Sequence, residues 1–267
     1  MRYRGQFILL PLVVLVAACT TKVSNVQTGR DFDPSLLDAG VVAVGGFVAS
    51  TRLLDDYPVG PDAPPIGDLL AQTEAWAPVL YGAFLAEAPQ MNIWPWPTVA
   101  AAVTDSTLAD GLTVFARGGL LRPDQLDPVA RELPGARYLA LVRLDGNEVS
   151  LHESAGSVTR NQRDHDGRQL HANEGVATIT TRRRLTVTLE IYDLQTGLSL
   201  WGGTIRHDAK ELYNPEDART DAPDSLRTGD PYIRVTGTSQ QGPPFMGVLE
   251  AACAAAVKRM QYGADGS

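Results

Sequence analysis

The chain has 267 residues and an acidic balance, with 23 Lys+Arg against 31 Asp+Glu and a formal charge of −8. That balance gives no electrostatic drive towards nucleic acid or anionic headgroups.

The first eighteen residues carry an export pattern. Arg2 and Arg4 form a short positive start, Phe7 to Val16 is apolar, and Val16-Ala17-Ala18 precedes Cys19. The apolar run is shorter than the about 20 residues a spanning helix needs. Residues 19–38 are polar and mixed, and they read as a flexible tether. Some 225 residues follow, enough for one α/β domain, expected over 39–262.

Val41 to Val48 is a continuous apolar run bounded by Gly40 and Ser50, which predicts a strand buried on both faces. A proline-rich loop over 56–65 leads to a helix over 68–88, with Leu69, Leu70, Trp76, Leu80, Phe84 and Leu85 at helical spacing. Pro89 ends it. Met91 to Trp96 predicts a second strand, held to a sheet edge by Pro95. Helices follow over 98–103 and 106–117, the latter capped by Ser106 and closed by Gly118-Gly119. Pro123 opens another helix through Leu133, and Tyr138 to Leu144 predicts a third strand.

The clearest alternation comes next. Leu185, Val187, Leu189 and Ile191 share one face of a strand, and Thr186, Thr188 and Glu190 share the other. A turn over 193–197 returns the chain through Leu198 to Arg206, a hairpin. The row of Thr186, Thr188 and Glu190 is expected to face solvent. Residues 209–243 read as a long surface loop. Pro244 opens a last helix to about Met260, with Phe245, Met246, Val248, Leu249, Cys253 and Val257 inward. Together the elements predict an α/β fold, a mixed sheet with helices packed on it.

Val16-Ala17-Ala18-Cys19 resembles the lipobox of bacterial lipoproteins. That family implies cleavage before Cys19, lipidation of its thiol, and attachment to a membrane. Thr20, where an Asp would resemble an inner-membrane retention signal, implies the periplasmic face of the outer membrane. Loss of residues 1–18 removes Arg2 and Arg4, leaving 21 basic and 31 acidic side chains, a charge of −10. Only Cys253 then remains, so no intrachain disulfide forms, and its alanine-rich setting predicts a buried apolar role.

The domain resembles the periplasmic sandwich shared by the TolB amino-terminal domain, CsgG-like secretion lipoproteins and lipoprotein activators of peptidoglycan synthases. The residues that carry it are Val41 to Phe47, Ile93-Trp94-Pro95, Gly135 to Leu141, and Leu189-Glu190-Ile191-Tyr192-Asp193 through Gly197 to Leu200-Trp201. Pore-forming members carry long hairpins that cross a membrane. Residues 147–176 stand in that place and hold His152, Glu153, Arg160, Asn161, Arg163, Asp164, His165 and Asp166. A lipid-facing strand does not suit that composition.

No phosphate loop, zinc helix, nucleophile elbow or Cys-x-x-Cys occurs. Asp164, His165, Asp166, His171 and Glu174 have ligand chemistry but lack calcium-loop spacing and an apolar frame, so a metal-free hairpin loop is expected. Arg182-Arg183-Arg184 is expected as a solvated edge that discourages strand aggregation. Trp94-Pro95-Trp96-Pro97 is expected in packing rather than recognition. The sequence thus predicts a non-enzymatic, lipid-anchored accessory or assembly factor of the cell envelope, with no catalytic, metal or cofactor residue. It would act through protein–protein contacts with an envelope partner, self-association included. A small-ligand or metal-binding module, a CsgG-like secretion subunit and an unrecognised hydrolase are the alternatives.

Overall fold

A computed structural model describes residues 20–30, 32–53, 56–58, 64–163, 169–213 and 242–262, with the backbone alone at 105, 153–179, 212 and 213. Its elements are β1 (Thr20–Thr28), α1 (Ser35–Asp38), β2 (Val41–Ala49), α2 (Leu69–Glu87), β3 (Asn92–Trp94), α3 (Trp96–Ala102), α4 (Asp105–Ala116), α5 (Pro123–Glu132), β4 (Tyr138–Arg163), β5 (Gln169–Asp193), β6 (Leu198–Tyr213) and α6 (Phe245–Tyr262). Six strands form one sheet in the order β1-β6-β5-β4-β2-β3. β2 runs parallel to β3 and β4, and the other neighbours are antiparallel, so the sheet is mixed as predicted. β3 takes the expected edge.

The apolar run of β2 sits between two strands and under helices. Asp68 caps α2 by accepting from the Ala71 amide at 3.0 Å. Two polar side chains then tie α2 to β2: Gln72 Oε1 accepts from the Ala49 amide at 2.8 Å, and Thr73 Oγ1 from the Phe47 amide at 3.2 Å. Trp76 packs between Phe47, Tyr57 and Phe245, linking α2, β2 and α6. In register, Phe47 stands beside Val142 and Val142 beside Leu189, so these residues share the face that α2 and α6 cover. The opposite face belongs to α4, whose Leu112 occupies the space a Cβ on Gly46 would need. Trp94 lies against Gly135 and Trp96 is buried, so these aromatics pack, as expected.

Several expectations change. Residues 19–38 are not a free tether over their described part. Thr20–Thr28 pairs with β6, and Leu37 is buried while Tyr138 donates to the Leu36 carbonyl at 2.9 Å. The backbone groups of the β6 edge supply the drive for this pairing. Ser106 does not cap α4, which starts one residue earlier, behind Thr104. There Glu132 of α5 accepts from the Thr104 amide at 2.6 Å. Leu85 and Met246 are exposed rather than inward. The segment 209–213 continues β6 instead of opening a loop. No helix among the described residues is long and apolar enough to cross a membrane.

Candidate protein-interaction site

β4 and β5 outrun the sheet. Among the described residues β2 accompanies β4 from Tyr138 to Leu144, and β6 accompanies β5 as far as Ile179, opposite Tyr213, the last described residue of that stretch. From Ser154↔Thr178 to Arg163↔Gln169 the two continue as a two-stranded ribbon, about 30 Å long at 3.4 Å per residue. Among the described residues no strand pairs with its outer edges. Of the polar segment over 147–176, expected as a hairpin, residues 147–153 therefore lie in the sheet, and the described residues from 154 continue beyond it as the ribbon. Two-stranded ribbons are marginal alone in water. Unpaired strand edges accept further strands by backbone hydrogen bonding.

The root of the ribbon is rigidly held, and Arg182-Arg183-Arg184 does the holding. Arg183 is only 9% exposed. Its Nη1 donates to Asn147 Oδ1 at 2.6 Å and its Nε to the Pro243 carbonyl at 2.7 Å. Asn147 in turn donates from Nδ2 to the Asp56 carbonyl at 2.9 Å. On the other face, Asp208 takes Arg184 Nε at 2.8 Å and Arg182 Nη2, and Arg184 Nη1 reaches Glu148 at 3.1 Å. Burial opposes ionisation of Asp208, but these Arg hydrogen bonds outweigh it and hold its carboxyl below the usual range. The Arg run is thus a clamp inside the sheet, not the solvated edge expected. Its partners lie 24 to 60 residues away in sequence, which is why local reading missed them.

A second polar cluster lies on the α4 face. Glu190 is buried beside Gly202, where a Cβ would stand 2.4 Å from its carboxylate oxygen, and accepts from Ser199 Oγ at 3.0 Å. Burial pushes its carboxyl up to about 7, against the opposing Ser199 bond and the Arg143 charge. Arg143 pairs with Asp145 at 2.5 Å and donates to the Phe115 carbonyl at 2.9 Å. Thr188 bridges Asp145 and Thr204. The row of Thr186, Thr188 and Glu190 is therefore largely covered, contrary to the open face expected. A carboxyl that titrates near neutrality suits proton transfer; this one is buried in the sheet against Gly202 and Ser199.

A polar cleft of about 460 Å³ opens at the start of β2, lined by Asp38, Asn92, Arg137 and Gln195 among others. Cys253 is buried as expected, and burial pushes its thiol up to about 12. Cys19, Asp164, His165 and Asp166 lie outside the described residues. His171 and Glu174 fall on β5, in register with Asn161 and Val158. Among the described residues no three His, Cys, Asp or Glu side chains group as metal ligands.

Fold and ribbon together define a mixed α/β domain with a projecting β-hairpin. No family model and no curated protein matches the chain. Among solved structures it is similar to a PelC dodecamer from Paraburkholderia phytofirmans, at 13% identity over 91% of this chain and 98% of that one, with a TM-score of 0.32. A variant PelC dodecamer from the same organism gives 12% identity, 90% and 96% coverage, and a TM-score of 0.32. Both neighbours are oligomers, and at these scores no function is transferred from them.

Proposed function

We propose that this chain is a lipid-anchored protein on the periplasmic face of the outer membrane that serves envelope assembly through protein–protein contacts, without catalysis. The observation that carries the reading is the β4–β5 ribbon, whose outer edges have no partner strand among the described residues and whose root is clamped by Arg183 and Asp208. A fixed root presents the edges in one direction. Strand addition from a second copy or another envelope protein satisfies them. Homo-oligomerisation is the simplest form of this contact, because each copy brings the same ribbon. The anchor rests on Val16-Ala17-Ala18-Cys19. The length of the ribbon also favours a second reading, a CsgG-like secretion-complex subunit. Planar-bilayer recordings separate the two, since the assembly-factor reading expects no conductance.

The test has two parts. A photo-crosslinking residue at position 157 of the ribbon, in the full chain in cells, should give adducts with a second copy or one envelope protein. The same residue at exposed position 127 of α5 should give none. Absence of adducts along the whole ribbon contradicts the contact role. Cys19→Ala should abolish membrane association, and an unmodified Cys19 thiol in the wild-type protein contradicts the anchor.

A further inference from the structure

β1 begins at Thr20, directly after the residue that carries the anchor. A lipid on Cys19 would therefore be attached to an edge strand of the sheet, not to slack chain. How that strand is held decides how far the domain can stand from the membrane.

β1 is held weakly on three counts. Of its nine residues only Val23 and Val26 are half-buried, and the other seven are exposed. Its ladder to β6 breaks between Ser24 and Gln27, where Asn25 takes a left-handed φ of 52°. Such a bulge leaves residues unpaired and interrupts the cooperativity of the strand. Its side-chain ties are few: Val23 and Val26 pack at the margin of the core, and the polar ones are Thr20 to Asp208 at 3.3 Å, Thr21 to His207 Nδ1 at 2.8 Å, and a long contact from Ser24 to the Thr204 carbonyl. Asp208 keeps both Arg partners without Thr20. His207 stands beside Thr21 in register, and its buried Nε2 has no hydrogen-bond partner among the described residues.

We propose that β1 is a releasable tie between anchor and domain, docked on β6 in a close state and detached in an extended one. The inference rests on the anchor reading above. Detachment frees nine residues, about 30 Å of reach at 3.3 Å each. Docked, the anchor sits at the ribbon root, because Thr20 pairs with Asp208 and Asp208 with Arg184, so the ribbon end of the domain lies at the membrane. Released, that end can move off the membrane by the freed length. The fold stays intact because β6 keeps β5 on its other side and no fully buried core residue belongs to β1, which adds only Val23 and Val26 at the core's margin.

The experiment uses the full lipidated chain on vesicles of phosphatidylethanolamine and phosphatidylglycerol that carry a headgroup acceptor dye. A donor fluorophore is placed at position 127 through a noncanonical amino acid. Ser24→Cys with Thr204→Cys, register partners on β1 and β6, locks the strand when oxidised. Cys253 is buried and does not interfere. The wild-type chain should show two donor–membrane separations, the locked chain the shorter one alone, and reduction should restore the longer. One separation in the wild-type chain, equal to that of the locked chain, overturns release. Amide exchange over residues 21–24 decides the same point whether or not the chain binds vesicles. Oxidation should slow it about tenfold or more, and an unchanged rate overturns release. Failure of both forms to bind vesicles overturns the anchor reading instead.

Discussion

Leu189→Ala lowers stability by about 2–5 kcal/mol, the range for truncating a fully buried leucine. Leu189 is wholly buried, with Val142 on one side in register and Gly203 on the other. Gly203 brings no side chain, and the ring of Trp201 fills the space a Cβ would take there. A shortened residue 189 therefore leaves a void in a row whose other members, Leu185, Val187 and Ile191, are already closed. Against the about 5–15 kcal/mol that holds a typical domain together, this is a large fraction. Urea unfolding measures it, with Leu198→Ala as the control. Leu198 is 59% exposed at the start of β6 and should change stability by less than about 0.5 kcal/mol. A Leu189→Ala chain as stable as the control would contradict the placement of this row in the core.

Glu190→Gln should make the protein more stable at pH 8, by as much as about 3 kcal/mol. In the unfolded chain this carboxyl ionises near 4.5, whereas the native one keeps its proton until about 7. Between those values the native state binds more protons than the unfolded state. Stability from this group is therefore complete below about 4.5 and is lost as pH rises to about 7. Glutamine stays neutral throughout and can still accept from Ser199. The advantage of the variant should grow from near zero at pH 4.5 to its full value by pH 8. Asp208 and His207, both held below their usual values in the native state, tilt the curves the other way, but they are common to both proteins and cancel in the difference. Thermal unfolding across pH 4–8 measures it. A difference that stays flat with pH would place Glu190 in water.

The apolar alternation of 185–191, the buried run of 41–48 and the helix over 69–87 were legible because burial imprints a period on sequence. β1 was not. It is almost wholly exposed, and backbone pairing to the β6 edge leaves no side-chain pattern behind. The ribbon was legible as a polar hairpin, but its continuous pairing out to Arg163 was not, since a strand without a buried face lacks the alternation that marks one. The Arg run misled for a different reason. Three adjacent charges look solvated until Asp208, Asn147 and the Pro243 carbonyl are brought around them by the fold. Glu190 reads as a solvent-facing residue because nothing local announces that it folds over Gly202 beneath the α4 face.

The ribbon's proposed role as contact element predicts a change in the mass of the full, detergent-solubilised chain when the ribbon is removed. Replacing residues 154–178 by a two-residue Asn-Gly turn removes the projecting part and leaves the clamp of Arg182, Arg183, Arg184, Asn147 and Asp208 in place. Light scattering coupled to size exclusion should find the wild-type chain in an assembly, alone or with a co-purified partner. The shortened chain should be a monomer with an unchanged unfolding midpoint. A shortened chain that keeps the assembly mass, or a wild-type chain that is monomeric and without a partner, would rule out the ribbon as the contact element.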